Sequence, residues 1–254
     1  MVRVEVESSY EEMSRRAARE VVKEILVGQA PVLGLPTGET PKGMYSFLAR
    51  YYKQGLVDFS QVATFNLDEY YGINKDHPKS FNRYMKQNLF EKVNLKGENI
   101  HVPSGEITRE EISHYCKEYE KEISRLGGID LQILGIGKNG HIGFNEPGSS
   151  FDTRTRLVEL ARDTITDNFD NSDETFEEAI TMGTNTIMEA KKIILLVSGR
   201  RKKEVVKQAL QGPVREELPG TVLQLHPNVV AIMDEEAAEE LDLQEVDSFK
   251  ERCS

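Results

Sequence analysis

Hydrophobic positions in this chain form short apolar runs, separated by segments of helical periodicity. The first run, VRVEV at 2–6, alternates like a strand, and the later runs are continuous, as in strands buried on both faces of a sheet. These later runs are PVLGL, VATFNL, DLQILGIG, KIILLVSG and NVVAIMD, at 31–35, 62–67, 130–137, 192–199 and 228–234. Helical patterns lie between them, from the capping box SYEE at Ser9 onwards and over 42–53, 80–91, 109–126, 200–211 and 235–241. The alternation predicts an α/β fold with a mostly parallel, open, Rossmann-like sheet and helices on both faces.

Length and composition narrow the class of protein. The chain has 254 residues and no tandem repeat, low-complexity tract or long linker, so we expect a single domain over 1–254. Its formal charge of −11 argues against nucleic acid or an anionic membrane as the main partner, although one local site can still bind a small anion. No apolar run approaches the roughly 20 residues of a membrane span. With no secretory signal and only two distant cysteines, Cys116 and Cys253, we expect a soluble cytoplasmic protein.

Unusual side chains follow four of the buried runs. The four segments are PTGETP, NLDEYYG, GKNGHIGFNEPGSS and SGRRKK, at 36–41, 66–72, 137–150 and 198–203. Ligands of open α/β sheets bind beyond the carboxyl ends of the strands. We therefore expect these segments to meet at one edge of the sheet and to form the functional site.

The segment PTGETP places Thr37 and Gly38 between a strand and a helix N-terminus, where backbone N–H groups and the helix dipole favour an anion such as phosphate. It has neither the Walker nor the Rossmann glycine spacing. The alternative is an ordinary turn, with Thr40 as N-cap and Pro41 at the first helical position.

Carboxylates follow the next run. Asp68 and Glu69 come directly after an apolar strand, where partial desolvation can raise the pKa of a carboxyl towards that of a useful general base. The alternative is a turn aspartate beside a surface glutamate.

His141 has the most specialised surroundings of the five histidines. It can move protons near neutral pH, Glu146 can fix its orientation, and the flanking glycines allow a close approach to a ligand. The alternative is a structural histidine. No histidine, cysteine or acidic spacing matches a metal site. In SGRRKK, cations oppose the dipole of a helix N-terminus, which an anion at the same site would explain, and the alternative is a solvated basic turn.

Six segments together resemble the glucosamine-6-phosphate deaminase family and cover nearly the whole chain in order. They are LGLPTGETP, TFNLDEYYG, HPKSFNRYM, LGIGKNGHIGFNEPGSSF, AITMGTNTIMEAKKIILLVSG and LQLHPNVVAIMDEEAA. The resemblance implies conversion of glucosamine 6-phosphate and water to fructose 6-phosphate and ammonia, without a metal or organic cofactor. It implies Asp68 as the enolisation base and His141 as the ring-opening group.

The resemblance also implies supporting and substrate-binding roles. Glu146 and Asn139 would orient His141, while Lys202, Thr37 and Gly38 would bind the phosphate.

The sequence departs from the family pattern at several positions. Asn139 stands where many members have aspartate, and an amide cannot stabilise an imidazolium by charge, so His141 should depend more on Glu146. No arginine follows DTITDN within 169–178, although family members often bind phosphate with one there. Two further readings stay open: a non-catalytic sugar-phosphate sensor, and a deaminase for another amino-sugar phosphate such as galactosamine 6-phosphate.

The regulatory features of hexameric members are incomplete here. Arg156 and Ser149 match part of their allosteric pocket, but Val158 replaces a lysine and the tail lacks their C-terminal segment. We therefore expect a monomer or homodimer that N-acetylglucosamine 6-phosphate does not activate.

Overall fold

The computed structural model describes residues 2–169 and 174–242, and its main element is a parallel sheet of seven strands. The strands are β1 (Arg3–Glu7), β2 (Val32–Leu35), β3 (Ala63–Asn66), β5 (Ile100–His101), β6 (Leu131–Leu134), β9 (Lys192–Val197) and β10 (Val229–Asp234). Their order is β1-β10-β9-β6-β2-β3-β5, and every neighbouring pair is parallel. All six apolar runs that predict strands are strands of this sheet, which confirms the α/β fold.

A second, antiparallel sheet was not predicted. It contains β4 (Asp68–Tyr70), β8 (Glu178–Thr181) and β7 (Arg156–Glu159), in that order. These strands are three or four residues long and contain charged residues, so no apolar run marks them. Since β4 begins two residues after β3 ends, this small sheet sits at the carboxyl edge of the main one.

Eight α-helices connect the strands. They are α1 (Tyr10–Val27), α2 (Lys42–Lys53), α3 (Phe81–Asn88), α4 (Ile112–Arg125), α5 (Arg162–Phe169), α6 (Thr184–Met188), α7 (Lys203–Gln211) and α8 (Glu235–Ala238), counted over the residues described. Short 3₁₀ turns cover Phe90–Lys92, Gly97–Asn99, Arg200–Lys202 and Pro219–Leu225. All six predicted helical segments are present, whereas α5 and α6 were not predicted. At Ser9 half of the capping box forms: its hydroxyl accepts the Glu12 N–H, while the Glu12 carboxylate pairs with Arg15.

The strands bury side chains on both faces, as their continuous apolar runs predict. In β9, Ile194 and Leu196 pack into the cluster formed with α1, α2 and α3. Ile193, Leu195 and Val197 pack on the opposite face with α4 and α7. Helices therefore cover both faces of the sheet.

The sheet has a topological switch point between β2 and β6. These two strands pair at its centre, and the chain then leaves β2 for β3 on one side and β6 for β9 on the other. Loops that diverge in this way leave a crevice at the carboxyl ends of the two strands. PTGETP follows β2 and GKNGH follows β6, so both segments border this crevice.

Some sequence features lie outside the described residues. They are residues 170–173 of the segment without arginine, and the C-terminal tail with Cys253. Among the helices described, none is long and apolar enough to cross a membrane.

Candidate active site

The predicted site residues gather at the carboxyl edge of the main sheet. Thr37 and Gly38 follow β2, Asp68 opens β4 directly beyond β3, and Lys202 follows β9. Asn139, His141 and Glu146 lie in the loop after β6. Because these four strands are parallel neighbours about 5 Å apart, all four segments lie along the same edge of the sheet.

The imidazole of His141 lies against the backbone of Gly137. A Cβ atom at position 137 would be 2.3 to 2.6 Å from three atoms of the ring, so only glycine leaves room for it. The turn is closed by hydrogen bonds from the Gly137 N–H to the His141 carbonyl, at 2.9 Å, and from the Gly140 N–H to the Gly137 carbonyl, at 3.1 Å. Gly140 has a φ of +87°, which favours glycine. The glycines thus fix the position of the ring.

Three side chains surround the carboxylate of Glu146. Its Oε2 lies 3.3 Å from Nδ1 of His141 and accepts a hydrogen bond from Nδ2 of Asn139 at 2.8 Å. Its Oε1 accepts a hydrogen bond from the Thr164 hydroxyl at 2.5 Å. Burial alone would raise the pKa of Glu146, but His141, Thr164 and Asn139 together lower it to about 2. Glu146 therefore stays ionised beside the imidazole and can hold its ring and stabilise its protonated form.

Asn139 supports the histidine indirectly. Its Oδ1 accepts the backbone N–H of His141 at 3.2 Å, and its amide group donates to Glu146. Within the described chain, Nδ1 of His141 makes no hydrogen bond of standard geometry, and its contact with Oε2 of Glu146 is 3.3 Å long. That His141 depends on Glu146 for its function stays a prediction.

Of the two carboxyl groups among the predicted site residues, Asp68 has the pKa that is shifted further from its usual value. It is 8% exposed, and burial, with a smaller contribution from the charge of Glu69, raises its pKa to about 8. No described residue donates a hydrogen bond to its carboxylate, which leaves the group available to a ligand. A desolvated carboxylate without donors is a strong base when it is ionised.

Glu69 is structural, and it is not the surface glutamate of the alternative reading. Its carboxylate is buried and accepts hydrogen bonds from the Ser80 hydroxyl at 2.7 Å and from the N–H groups of Phe81 and Asn82 at 3.1 and 3.0 Å. These donors form the N-terminus of α3, where a carboxylate is stabilised.

Thr181 connects the loop of His141 to the strand of Asp68. Asp68 pairs with Thr181 across β4 and β8. The Thr181 hydroxyl accepts the N–H of Phe144, from the histidine loop, at 3.1 Å. The antiparallel sheet therefore joins the candidate base to the candidate ring-opening group.

The loop after β2 is open at Gly38. This residue has a φ of +99°, and a Cβ there would meet no atom within 4 Å. The Glu39 side chain is 88% exposed and pairs with Lys42, so it does not occupy the crevice. The ordinary-turn alternative is wrong in its details, because α2 begins at Lys42 with Pro41 before it and no side chain caps the helix.

Lys202 differs from the other cations of SGRRKK. Its Nζ donates to the carbonyl of Ile136 at 2.7 Å, and burial, together with the nearby charge of Lys138, lowers its pKa to about 8. Arg200 and Lys203 instead pair with Glu239, directly after α8, so the interpretation as a solvated basic turn fits these two residues. Lys202 is the member of this group that is directed towards the site.

A cleft of about 400 Å³ opens beside His141. Its lining residues are Lys138, Asn139, His141, Asp163, Thr164, Thr166 and Asp167, which come from the histidine loop and α5. Asp68, Thr37, Gly38 and Lys202 do not line this cleft. Sequence reasoning missed Thr164 and Asp167, because α5 has no clear hydrophobic periodicity and nothing local indicates that it covers the histidine loop. It also missed Lys138, which lies in the distinctive segment itself, because its partner Asp167 is distant in sequence. The described residues contain no cluster of three or more histidine, cysteine or acidic side chains suited to a metal ion.

An α/β sheet with acid–base side chains at its switch point is typical of enzymes that move protons on small ligands. The sequence model of the family described as glucosamine-6-phosphate isomerases/6-phosphogluconolactonase matches residues 6–231. The chain belongs to this family.

Relatives and solved structures agree with this assignment. The chain is 49% identical over 252 residues to a glucosamine-6-phosphate deaminase of Thermoanaerobacter pseudethanolicus, covering 97% of this chain and 99% of the relative. It is similar to the structure of a monomeric glucosamine-6-phosphate deaminase, with a TM-score of 0.91, 40% identity and coverage of 94% and 99%. A 6-phosphogluconolactonase of Trypanosoma brucei shares the fold at 21% identity, with a TM-score of 0.76 and coverage of 95% and 99%.

Proposed function

We propose that this protein converts glucosamine 6-phosphate and water to fructose 6-phosphate and ammonia. The observation that carries the proposal is the presence of two kinds of proton-transfer group at the carboxyl edge of the main sheet. One is the buried carboxyl of Asp68, to which no residue of 2–169 or 174–242 donates a hydrogen bond, and the other is the His141–Glu146 pair, which glycine backbone holds in place. The first group suits proton transfer between carbon atoms, and the second suits proton transfer to a ring oxygen.

The reaction divides into steps that these residues can perform. His141, held by Glu146 and by Asn139 behind it, moves the proton that opens the pyranose ring. Asp68 then takes the proton from C2 and delivers it to C1, which turns the C2 amine into an imine. Water adds to that C2 atom, and the C–N bond breaks to release ammonia. Thr37, Gly38 and Lys202 hold the phosphate at the crevice during these steps.

We also propose a monomer, because the similar structure at 40% identity is described as monomeric. Light scattering on the purified protein tests this assignment. A mass near 28.8 kDa is expected, and a mass of twice that value or more would contradict the monomer. The cytoplasmic location expected from the sequence stays a prediction.

The test of function is to incubate the protein with glucosamine 6-phosphate and to measure ammonia and fructose 6-phosphate. We expect equal amounts of the two products, the same rate with a chelator, and slower turnover of galactosamine 6-phosphate. The control is Asp68→Asn, which should bind the substrate but lose turnover because the base is lost. Faster turnover of the galacto substrate would change the substrate assignment, and binding without turnover would favour the sensor.

A further inference from the structure

Lys138 has a charge that the proposed reaction steps do not use. It lies in the same loop as His141 and lines the same cleft. Its Nζ is 2.6 Å from Oδ1 of Asp167, on the α5 wall of that cleft. The side chains of Lys138 and Asp167 are 50% and 45% exposed, so a ligand in the cleft can reach both.

The ion pair of Lys138 with Asp167 is easily exchanged. Exposed pairs contribute about 0 to 1 kcal/mol, because water screens the charges and holding two long side chains costs entropy. A phosphate dianion carries more negative charge than a carboxylate and offers three acceptor oxygens. Such a ligand can therefore replace Asp167 as the partner of Lys138 at little cost.

Lys138 and Lys202 form a pair of like charges. The Nζ atom of Lys202 donates to the carbonyl of Ile136 at 2.7 Å, two residues before Lys138, so both ammonium groups belong to the surroundings of the histidine loop. In agreement with this geometry, the charge of Lys138 contributes to lowering the pKa of Lys202. The charge of Asp167 acts in the opposite direction and raises the pKa of Lys202, so its carboxylate offsets part of the repulsion between the two lysines. An anion near both groups removes the repulsion, and the switch-point crevice beside Gly38 is open to one.

We propose that Lys138 is a second binding residue for the phosphate group of the substrate, beside Lys202, and that Asp167 is the counter-ion which the phosphate displaces. The inference rests on the proposed function, since it concerns the phosphate of the same substrate. In this proposal Asp167 weakens phosphate binding, because its carboxylate competes with the phosphate for the ammonium group of Lys138.

Four variants test this exchange at pH 7: Lys138→Ala, Lys138→Arg, Asp167→Asn and the control Lys191→Ala. The Nζ atom of Lys191 lies 2.6 Å from Oδ1 of Asp130, the same distance as in the Lys138–Asp167 pair. These two residues precede β9 and β6, so their pair lies at the amino ends of the strands, opposite the crevice. The measurements are KM and kcat for glucosamine 6-phosphate, and the inhibition constant of inorganic phosphate.

Removing Lys138 and removing the charge of Asp167 are expected to change KM and the phosphate inhibition constant in opposite directions. Lys138→Ala should raise both KM and the phosphate inhibition constant about 10-fold with kcat little changed, since one charge-assisted hydrogen bond is lost. Lys138→Arg should stay near the wild type. Asp167→Asn should lower both constants about 2- to 5-fold because the competing carboxylate is gone. Lys191→Ala should change neither.

Other outcomes overturn the inference. If the wild type is active and Lys138→Ala leaves both constants unchanged, Lys138 does not contact the phosphate. A loss of kcat alone in that variant would also contradict a binding role. If the wild type has no turnover, calorimetry with inorganic phosphate separates the two proposals: weaker binding by Lys138→Ala preserves the phosphate site although the proposed reaction fails, and unchanged binding removes both.

Discussion

Asp68 and Glu69 are adjacent carboxyl groups with opposite surroundings. Glu69 is held by donors at the N-terminus of α3, while Asp68 is buried, accepts no hydrogen bond from the part of the chain that the structure describes, and has its pKa raised to about 8. An unfolded chain exposes Asp68 to water, where its pKa is near 3.8. Folding therefore costs free energy wherever the unfolded Asp68 is ionised, and that cost is greatest above pH 8.

Asp68→Asn should stabilise the protein at pH 8 and leave its stability at pH 3 nearly unchanged. The native carboxyl is protonated below about pH 8 and the unfolded one only below about pH 3.8, so the wild type loses stability as the pH rises between these values. The asparagine variant does not undergo this loss of stability, and we expect it to be more stable than the wild type by on the order of 5 kcal/mol at pH 8. Urea unfolding at both pH values measures the difference. Equal stabilities at pH 8 would show that Asp68 is not strongly desolvated.

The pH dependence of kcat/KM should have its maximum near pH 8. Activity rises as Asp68 ionises through its pKa of about 8 and falls as Lys202 loses its proton, also near 8. Lys202→Arg should keep the rising limb and lose the falling one, because arginine remains charged. Initial rates between pH 6 and 10 measure both limbs. A falling limb that persists in the arginine variant would assign it to another group.

Two elements, the glycine loop after β6 and helix α5, position His141 and Glu146. The loop places the imidazole against Gly137, and α5 supplies the Thr164 hydroxyl to the carboxylate. The first contact depends on residues four apart, and the second joins residues 18 apart. Substitutions in the two elements therefore act on the same pair of side chains from different sides.

Gly137→Ala should reduce kcat by about 10- to 100-fold. The added methyl group would lie less than 3 Å from the His141 ring, which must move away from Glu146. The control is Gly97→Ala, at an exposed position where a Cβ meets nothing within 4 Å and the backbone is not left-handed. Steady-state kinetics, with circular dichroism to verify folding, decide the result. A Gly137→Ala enzyme with wild-type kcat would mean that the ring position is unimportant.

Thr164→Val should lower kcat about 10-fold and leave KM near its wild-type value, because Glu146 loses a hydrogen bond and α5 loses a polar contact. Thr164→Ser keeps the hydroxyl and should restore most of the rate. The comparison separates the hydrogen bond from simple packing. Equal rates in the two variants would assign Thr164 to packing alone.

Across the whole molecule, a buried ion network joins helix α1 to the sheet. Glu20 on α1 accepts hydrogen bonds from Lys192 of β9 and Arg16 at 2.5 Å each, and Arg16 also pairs with Glu5 of β1. Burial alone would raise the pKa of Glu20, but these cations lower it to about 2. Its contribution to stability is thus present above about pH 4.5 and is lost as the pH falls towards 2.

Glu20→Gln should destabilise the protein by about 2 kcal/mol at pH 7, because Lys192 is left with an uncompensated charge. The difference from the wild type should shrink between pH 4.5 and 2, where the glutamate becomes protonated. The control is Glu118→Gln, which breaks an exposed pair with Lys121 and should have no measurable effect. Urea titrations over this pH range test the prediction. A constant difference at all pH values would contradict the ionic role of Glu20.

Six of the seven strands of the main sheet, most of its covering helices and the edge with the candidate site residues could be predicted from the sequence. Continuous apolar runs such as KIILLV record burial on both faces, and the distinctive segments directly follow them in the chain. His141 and Glu146 are five residues apart, so their pairing is local and could be predicted from the sequence. Asp68 directly follows a buried strand, so a general base was one of two interpretations open from the residues, and the family resemblance favoured it.

The contacts between groups that are distant in sequence became apparent only in the folded chain. Thr164 reaches Glu146 because α5 packs over the histidine loop, and Lys138 meets Asp167 for the same reason. The small sheet that positions Asp68 joins strands more than 80 residues apart, and its strands are too short and polar to leave a pattern. The raised pKa of Asp68 likewise depends on burial by the folded chain. Such properties arise from contacts between residues distant in sequence, which hydrophobic periodicity does not record.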